Sequence, residues 1–351
     1  TNKTSYLLRP HLFIALALLV GACDLTSSDA PGTPDTSCAF ALGTDAALHV
    51  SQTCGVEGAD GSVARPYRTL AEAAATAQAG DTIALAPGAY VGGLVLAGGV
   101  KVIGLIDQHV SISAGGEHVL KFEGKGSSEV RGVTITGAAT RGIVVNGAAI
   151  SLGGVHVKDT GGVGVYVIGA EAVDLIGTRI TGNAGVGLIV KGSGKVGIID
   201  PIYEPSPRQV SKVGIIDPIY SPGSSISGNK GGGVAIINPI YSPIKGDELA
   251  VAHLLLKATD VNGNGGFGVA LYGAGAVIER SAIRNTVKGA KGPWADGILI
   301  TMGATNEVPD LRIDAASVVL DNARTGVLVM NAARVSLEGD VSGNGFCGAW
   351  V

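Results

Sequence analysis

A glycine followed by an apolar triplet recurs through most of this chain, at Gly142, Gly164, Gly187, Gly233, Gly268, Gly297, Gly326 and Gly348. The successive intervals are 22, 23, 46, 35, 29, 29 and 22 residues, so the base period is 22 to 23 and the excess is inserted sequence. A fixed period of this length predicts a solenoid, in which each coil pairs with its neighbours and none is stable alone. Glycine supplies 56 of the 351 residues, against about 7% in an ordinary domain. The strict triplet of collagen is absent, and glycine mixed with Val, Ile and Ala suits short strands joined by tight turns. A net charge of -4 with 15% charged residues argues against disorder and against a nucleic-acid partner.

The first coil is prefaced by a distinct segment. Thr69-Leu70-Ala71-Glu72 has the form of a capping box, which predicts an alanine-rich helix ending near Gly80, with a first strand at Thr82 to Leu85. Together with Asp60-Gly61-Ser62, Pro66-Tyr67-Arg68-Thr69-Leu70, Gly80-Asp81-Thr82-Ile83 and Pro87-Gly88-Ala89-Tyr90, this segment resembles the N-terminal cap of the pectin-lyase-like β-helix superfamily. The resemblance covers about thirty residues and implies an all-β chain, a right-handed parallel β-helix with a short N-terminal capping helix, while leaving activity open. Four residues before five of the aligned glycines stand Asn183, Asn229, Asn264, Asn322 and Asn344. Stacked at one turn, their amides can bond up the solenoid, an arrangement that resembles the asparagine ladder of the pectate-lyase family.

The N-terminus has the form of an export signal. Lys3 and Arg9 precede an apolar run from Leu12 to Ala22, shorter than the roughly 20 residues a membrane span requires. The run ends in Val20-Gly21-Ala22-Cys23, which resembles the bacterial lipobox and implies a signal peptide over 1–22 and lipid attachment at Cys23. Residues 23–37 then form a flexible tether and 38–351 the β-helix. This places the chain in the bacterial cell envelope, lipid-anchored and facing periplasm or cell surface, with the choice of membrane open. Outside the cytoplasm thiols oxidise, so Cys38 and Cys54 are expected to pair, and Cys347 is left over. The last Gly-strand begins at Gly348 with no cap after it; the expectation is that the fold continues beyond this chain or that a partner docks on its last rung.

Three segments break the period: Ile199-Asp200-Pro201-Ile202-Tyr203, Ile216-Asp217-Pro218-Ile219-Tyr220 and Ile237-Asn238-Pro239-Ile240-Tyr241. They predict surface loops near 200–222 and 238–248, because proline disfavours central strands. The second residue after each aligned glycine is Val144, Tyr166, Ile189, Ala235, Ala270, Leu299, Leu328 and Trp350. That column is apolar on both faces, so no catalytic groove is expected there, and either a loop or a protein partner should cover it.

Eight residues before each glycine the column is more polar: Thr134, His156, Arg179, Ser225, Asp260, Gly289, Val318 and Asp340. His156, Arg179 and Asp260 are the candidate ligand face, since their apolar neighbours point inward by the period of two. Neither paired carboxylates nor a Cys/His metal spacing is present in that column, so no catalytic residues, metal or cofactor are assigned. The expected function is a membrane-anchored, non-catalytic β-helix acting as an envelope structural or polysaccharide-binding module. The alternative is a carbohydrate-active enzyme, a polysaccharide lyase or hydrolase, as the superfamily resemblance implies.

Overall fold

The computed structural model describes residues 47–104, 109–192, 194–200, 224–238, 253–289, 292–302, 308–330 and 333–351. They belong to one unit, Cys38–Val351. The chain is a right-handed parallel β-helix. Three sheets of eleven, nine and ten strands run its length, and every paired strand is parallel to its neighbours, as in the representative pairs of each sheet. Each coil contributes a strand to the first sheet, a three- or four-residue strand to the second and a longer strand to the third. Ala149–Gly153, His156–Lys158 and Val163–Ile168 make one such turn of the solenoid.

The core is a set of inward columns, one rung per coil. In the second sheet Ile135, Val157, Ile180, Ile226, Val261, Ile283 and Val319 are all fully buried. Each such side chain contributes about 1.5–3 kcal/mol when removed from water. The columns recur every coil, which is why sequence period and structural register agree. At the N-terminal end the helix Leu70–Thr76 buries Leu70 and Ala73 against the same core. Its capping box is complete: the Thr69 N–H donates to Glu72 Oε2 at 2.8 Å and the Glu72 N–H to Thr69 Oγ1 at 3.3 Å. The helix stops at Thr76 rather than near Gly80, because Ala77 is extended and the Gln78 N–H is taken by the Asp81 carboxylate at 2.8 Å. That bond diverts the chain into the first coil.

The recurring glycine has a steric cause. A Cβ on Gly187 would lie 2.8 Å from Asn229 Nδ2, and one on Gly297 2.6 Å from Asn322 Nδ2. The glycine leaves room for the amide of the next rung. Asn183 Nδ2 donates to Asn229 Oδ1 at 2.8 Å, Asn229 Nδ2 to Asn264 Oδ1 at 3.0 Å, and Asn322 Nδ2 to Asn344 Oδ1 at 2.9 Å. Thr160 closes the N-terminal side, its hydroxyl donating to Asn183 Oδ1 at 2.9 Å. Between Asn264 and Asn322 the rung carries Thr286, whose buried Oγ1 has no partner, so the side-chain chain is interrupted there.

The period did not announce a second polar stack. Thr178, Ser224, Thr259, Ser281 and Ser317 are buried at the turn between the first and second sheets. Their hydroxyls turn back to backbone carbonyls, for instance Thr178 Oγ1 to the Leu152 carbonyl and Ser224 Oγ to the Ile199 carbonyl, both at 2.7 Å. The sequence signal was a Ser or Thr just before the outward residue of five successive coils.

Two of the segments expected as loops, near 200–222 and 238–248, lie outside the described residues apart from Asp200 and Asn238. Cys23 and Cys38 also lie outside them; Cys54 is disulfide-bonded, and Cys347 is a free thiol.

Candidate functional site

The second sheet carries the polar column outward. His156 sits beside Arg179, Arg179 beside Ser225, and Ser225 beside Asp260, on successive rungs. Arg179 and Asp260 are thus two rungs apart, about 10 Å, with Ser225 between them. The next member is Ala282, not Gly289. Counting back from Gly297 misplaced the register there, because the insertion of that coil lies between the second-sheet strand Ala282–Arg284 and the third-sheet strand Asp296–Thr301.

These three side chains do not converge. His156 Nε2 is 2.8 Å from Thr181 Oγ1. Burial, then the nearby charges of Arg179 and Lys158, push its imidazole down to about 4, so the ring is neutral at physiological pH. Asp260 is engaged by Arg284 through two bonds, Nε to Oδ1 at 3.0 Å and Nη2 to Oδ2 at 3.1 Å. The face therefore offers cations and hydroxyls rather than a base–acid pair.

The third sheet presents a different surface. Val144, Tyr166, Ile189, Ala235, Ala270, Leu299, Leu328 and Trp350 stand on successive rungs, and their apolar neighbours Ile143 and Val145 belong to the core. The stripe faces outward. It is covered in part by this chain's own side chains, since Phe267 and Tyr272 pack on Ala270, Leu299 and Leu328. Two clefts also open on this face, and Trp294, from the insertion that precedes the strand Asp296–Thr301, lines both of them.

Among the described residues Tyr166, Phe267, Tyr272, Trp294, Phe346 and Trp350 gather on this face, and cations lie over two of the rings. The Arg141 guanidinium is 5.0 Å and Lys191 Nζ 5.5 Å from the centroid of Tyr166, and the Arg324 guanidinium 4.4 Å from that of Trp294. Such stacking contributes about 0.5–1 kcal/mol at exposed sites and fixes the ring. Arg324 is itself held: its Nε donates to Asp296 Oδ1 at 2.8 Å, and the Thr325 N–H donates to the same oxygen at 3.2 Å. The Asp296 side chain is fully buried, and its Oδ2 has no partner. On the first sheet, burial pushes the Asp174 carboxyl above the usual carboxylate range. Among the described residues no group of three or more His, Cys, Asp or Glu could hold a metal ion, and no helix is long and apolar enough to cross a membrane.

The chain is similar in structure to the A-module of the Azotobacter vinelandii mannuronan C-5 epimerase AlgE6, with a TM-score of 0.54 and 16% identity over 78% of this chain and 70% of that one. The likeness is one of fold. Pectate lyase Pel9A matches with a TM-score of 0.47 and 14% identity over 85% of this chain and 79% of that one. The A-module of AlgE4 from the same Azotobacter matches with a TM-score of 0.45 and 16% identity over 86% and 97%. No protein-family model matches the chain, and no curated protein matches it significantly. The described coils thus share a parallel β-helix fold with a mannuronan C-5 epimerase module.

Proposed function

We propose that this chain is a carbohydrate-active β-helix protein that holds a polyuronate along the outer face of its third sheet. One observation carries the reading: the rings of Tyr166 and Trp294 stand on that face with cations stacked on them. An aromatic ring offers the apolar face a sugar stacks on, and an adjacent cation suits a carboxylate substituent. The epimerase module that shares the fold is, by its name, a mannuronan enzyme, which favours the enzymatic reading over a purely structural envelope module. The His156 and Arg179 face is a secondary contact surface in this reading, because Asp260 is already committed to Arg284.

The test is to incubate the protein with polymannuronate, polygalacturonate and a neutral glucan. Unsaturated-product absorbance reports lyase turnover, C5 proton signals report epimerisation, and affinity electrophoresis reports binding. Retardation by the polyuronates is expected, weakened about tenfold by Tyr166→Ala. Absence of both turnover and retardation would remove the reading.

The proposal extends to location. The basic residues, apolar run and Val20-Gly21-Ala22-Cys23 of the N-terminus support a lipid tether in the bacterial envelope. Wild-type protein should enter the detergent phase and Cys23→Ser should not; equal partitioning of the two would defeat the tether.

A further inference from the structure

Two clefts open on the outer face of the third sheet, one on each side of Trp294. The first, about 410 Å³, has a floor of bare backbone at Gly185, Gly231, Gly266 and Gly289 and walls from Phe267 and Trp294. Its floor cannot be refilled: a Cβ on Gly231 would lie 2.8 Å from the Gly185 carbonyl carbon, and one on Gly289 2.9 Å from the Gly266 Cα. Lys230 is the ionisable residue that lines it, among those described. The second cleft, about 530 Å³, lies between Trp294, Arg324, Phe346 and Trp350, with the Phe346 and Trp350 rings stacked at 5.3 Å. In this second cleft the positive charge is already answered, because Arg324 is paired with buried Asp296.

Trp294 is the wall common to both clefts, and it belongs to the insertion that departs from the coil period. The ring is 40% exposed yet held from behind by Arg324, which Asp296 holds in turn. A ring fixed before the ligand arrives loses little conformational entropy on binding. Charge distributes the clefts unequally. One places a cation over neutral backbone and the other is electrically closed and apolar.

We propose that Trp294 is the central stacking platform for an acidic glycan, with one sugar on the ring face that Arg324 leaves open and its neighbour in the second cleft beyond Arg324. The uronate whose carboxylate meets Lys230 occupies the glycine-floored cleft, and the apolar face of its neighbour lies against Arg324, Phe346 and Trp350. On this account Trp294 supplies affinity on the face, and Lys230 supplies the preference for an acidic sugar. The inference rests on the polyuronate reading above and assigns where on that face the chain is read.

The chain has two tryptophans, so Trp350→Phe leaves Trp294 as the single indole reporter. That protein is titrated with oligomannuronate, with oligogalacturonate and with a neutral cello-oligosaccharide. The acidic oligomers should shift Trp294 emission. Read by calorimetric titration in the wild-type background, Trp294→Ala should lower affinity about tenfold and Trp294→Phe should recover most of it. Lys230→Gln should reduce the preference for acidic over neutral oligomer about fivefold, with circular dichroism and melting unchanged. Binding of an acidic oligomer with emission unchanged, and with affinity for Trp294→Ala within about twofold of the parent, would overturn the inference and leave the polyuronate reading standing. An unchanged preference in Lys230→Gln would overturn the assignment of the carboxylate. Failure of every glycan to bind would remove both.

Discussion

Two stacks of buried polar side chains run along the solenoid; in both, side chains accept from the backbone N–H of the preceding rung and donate to a backbone carbonyl, and the stacks differ in what links one side chain to the next. At the turn into the third sheet the asparagines bond to one another, Asn183 to Asn229 and Asn229 to Asn264. At the turn into the second sheet the hydroxyls bond to backbone rather than to one another, donating to carbonyls and accepting from the N–H of the preceding rung, as Thr259 N donates to Ser281 Oγ and Ser281 N to Ser317 Oγ, both at 3.1 Å. In the coil that carries the Trp294 insertion the hydroxyl stack continues through Ser281, while the asparagine stack gives way to Thr286 with an orphaned Oγ1. A side chain anchored to backbone needs only the backbone beside it. An amide linked to an amide needs the same residue on both neighbouring rungs, so one substitution interrupts the series.

Breaking the asparagine stack at its centre should have the largest effect. Asn229→Ala removes the acceptor of the Asn183 N–H and Nδ2 and the donor to the Ile180 carbonyl, in a fully buried site. At about 1–3 kcal/mol per orphaned group, a loss of about 3 kcal/mol is expected from denaturant titration; a loss under about 1 kcal/mol would show that the stack follows the fold rather than stabilising it. Ser281→Ala is the matched cut in the hydroxyl stack. It strands only the Thr259 N–H and frees the Glu279 carbonyl, so about 1.5 kcal/mol is expected, and a cost equal to that of Asn229→Ala would erase the contrast.

The period exposed the coils but not all of their contents. His156 and Arg179 could be placed on neighbouring rungs because no insertion separates them, whereas Gly289 was assigned in place of Ala282 because the insertion fell inside the interval being counted. The hydroxyl stack escaped notice because Ser and Thr are also ordinary turn residues. Trp294 lies in inserted sequence that shares no column with Arg324, Phe346 or Trp350, so only coordinates bring these residues to one place.

Repair of the interruption sharpens the comparison from the other side. Thr286→Asn should supply the missing amide between Asn264 and Asn322 and raise stability by about 1 kcal/mol, read as a higher melting temperature. Destabilisation would mean that this rung lacks room for the amide, a point that the 3.3 Å approach of a Cβ on Gly268 to Thr286 Oγ1 makes close.

The outward column supplies the smallest effect. His156 has a folded value of about 4, below the usual 6.5, so the unfolded chain takes up its proton first. Its contribution is complete above pH 6.5, declines as pH falls towards 4, and is constant below that. After allowance for solvent screening of a half-exposed ring, the decline is of order 1 kcal/mol. His156→Gln should flatten that part of the stability–pH curve; an unaltered curve would assign the acid sensitivity elsewhere.

The interruption at Thr286 also bears on how the solenoid comes apart. Cooperativity in a repeat array is carried by the interfaces between neighbours, and on both sides of the Thr286 rung the side-chain bond that links Asn183 to Asn229, Asn229 to Asn264 and Asn322 to Asn344 is missing. The coils from Thr160 to Asn264 and those from Asn322 to Asn344 are therefore two differently coupled blocks meeting at a weaker seam. Local opening follows such seams. Under mild denaturant, amide exchange should divide the chain there, and the Trp294 insertion sits on the seam, so a ligand bound in both clefts would act as a clamp across the two blocks.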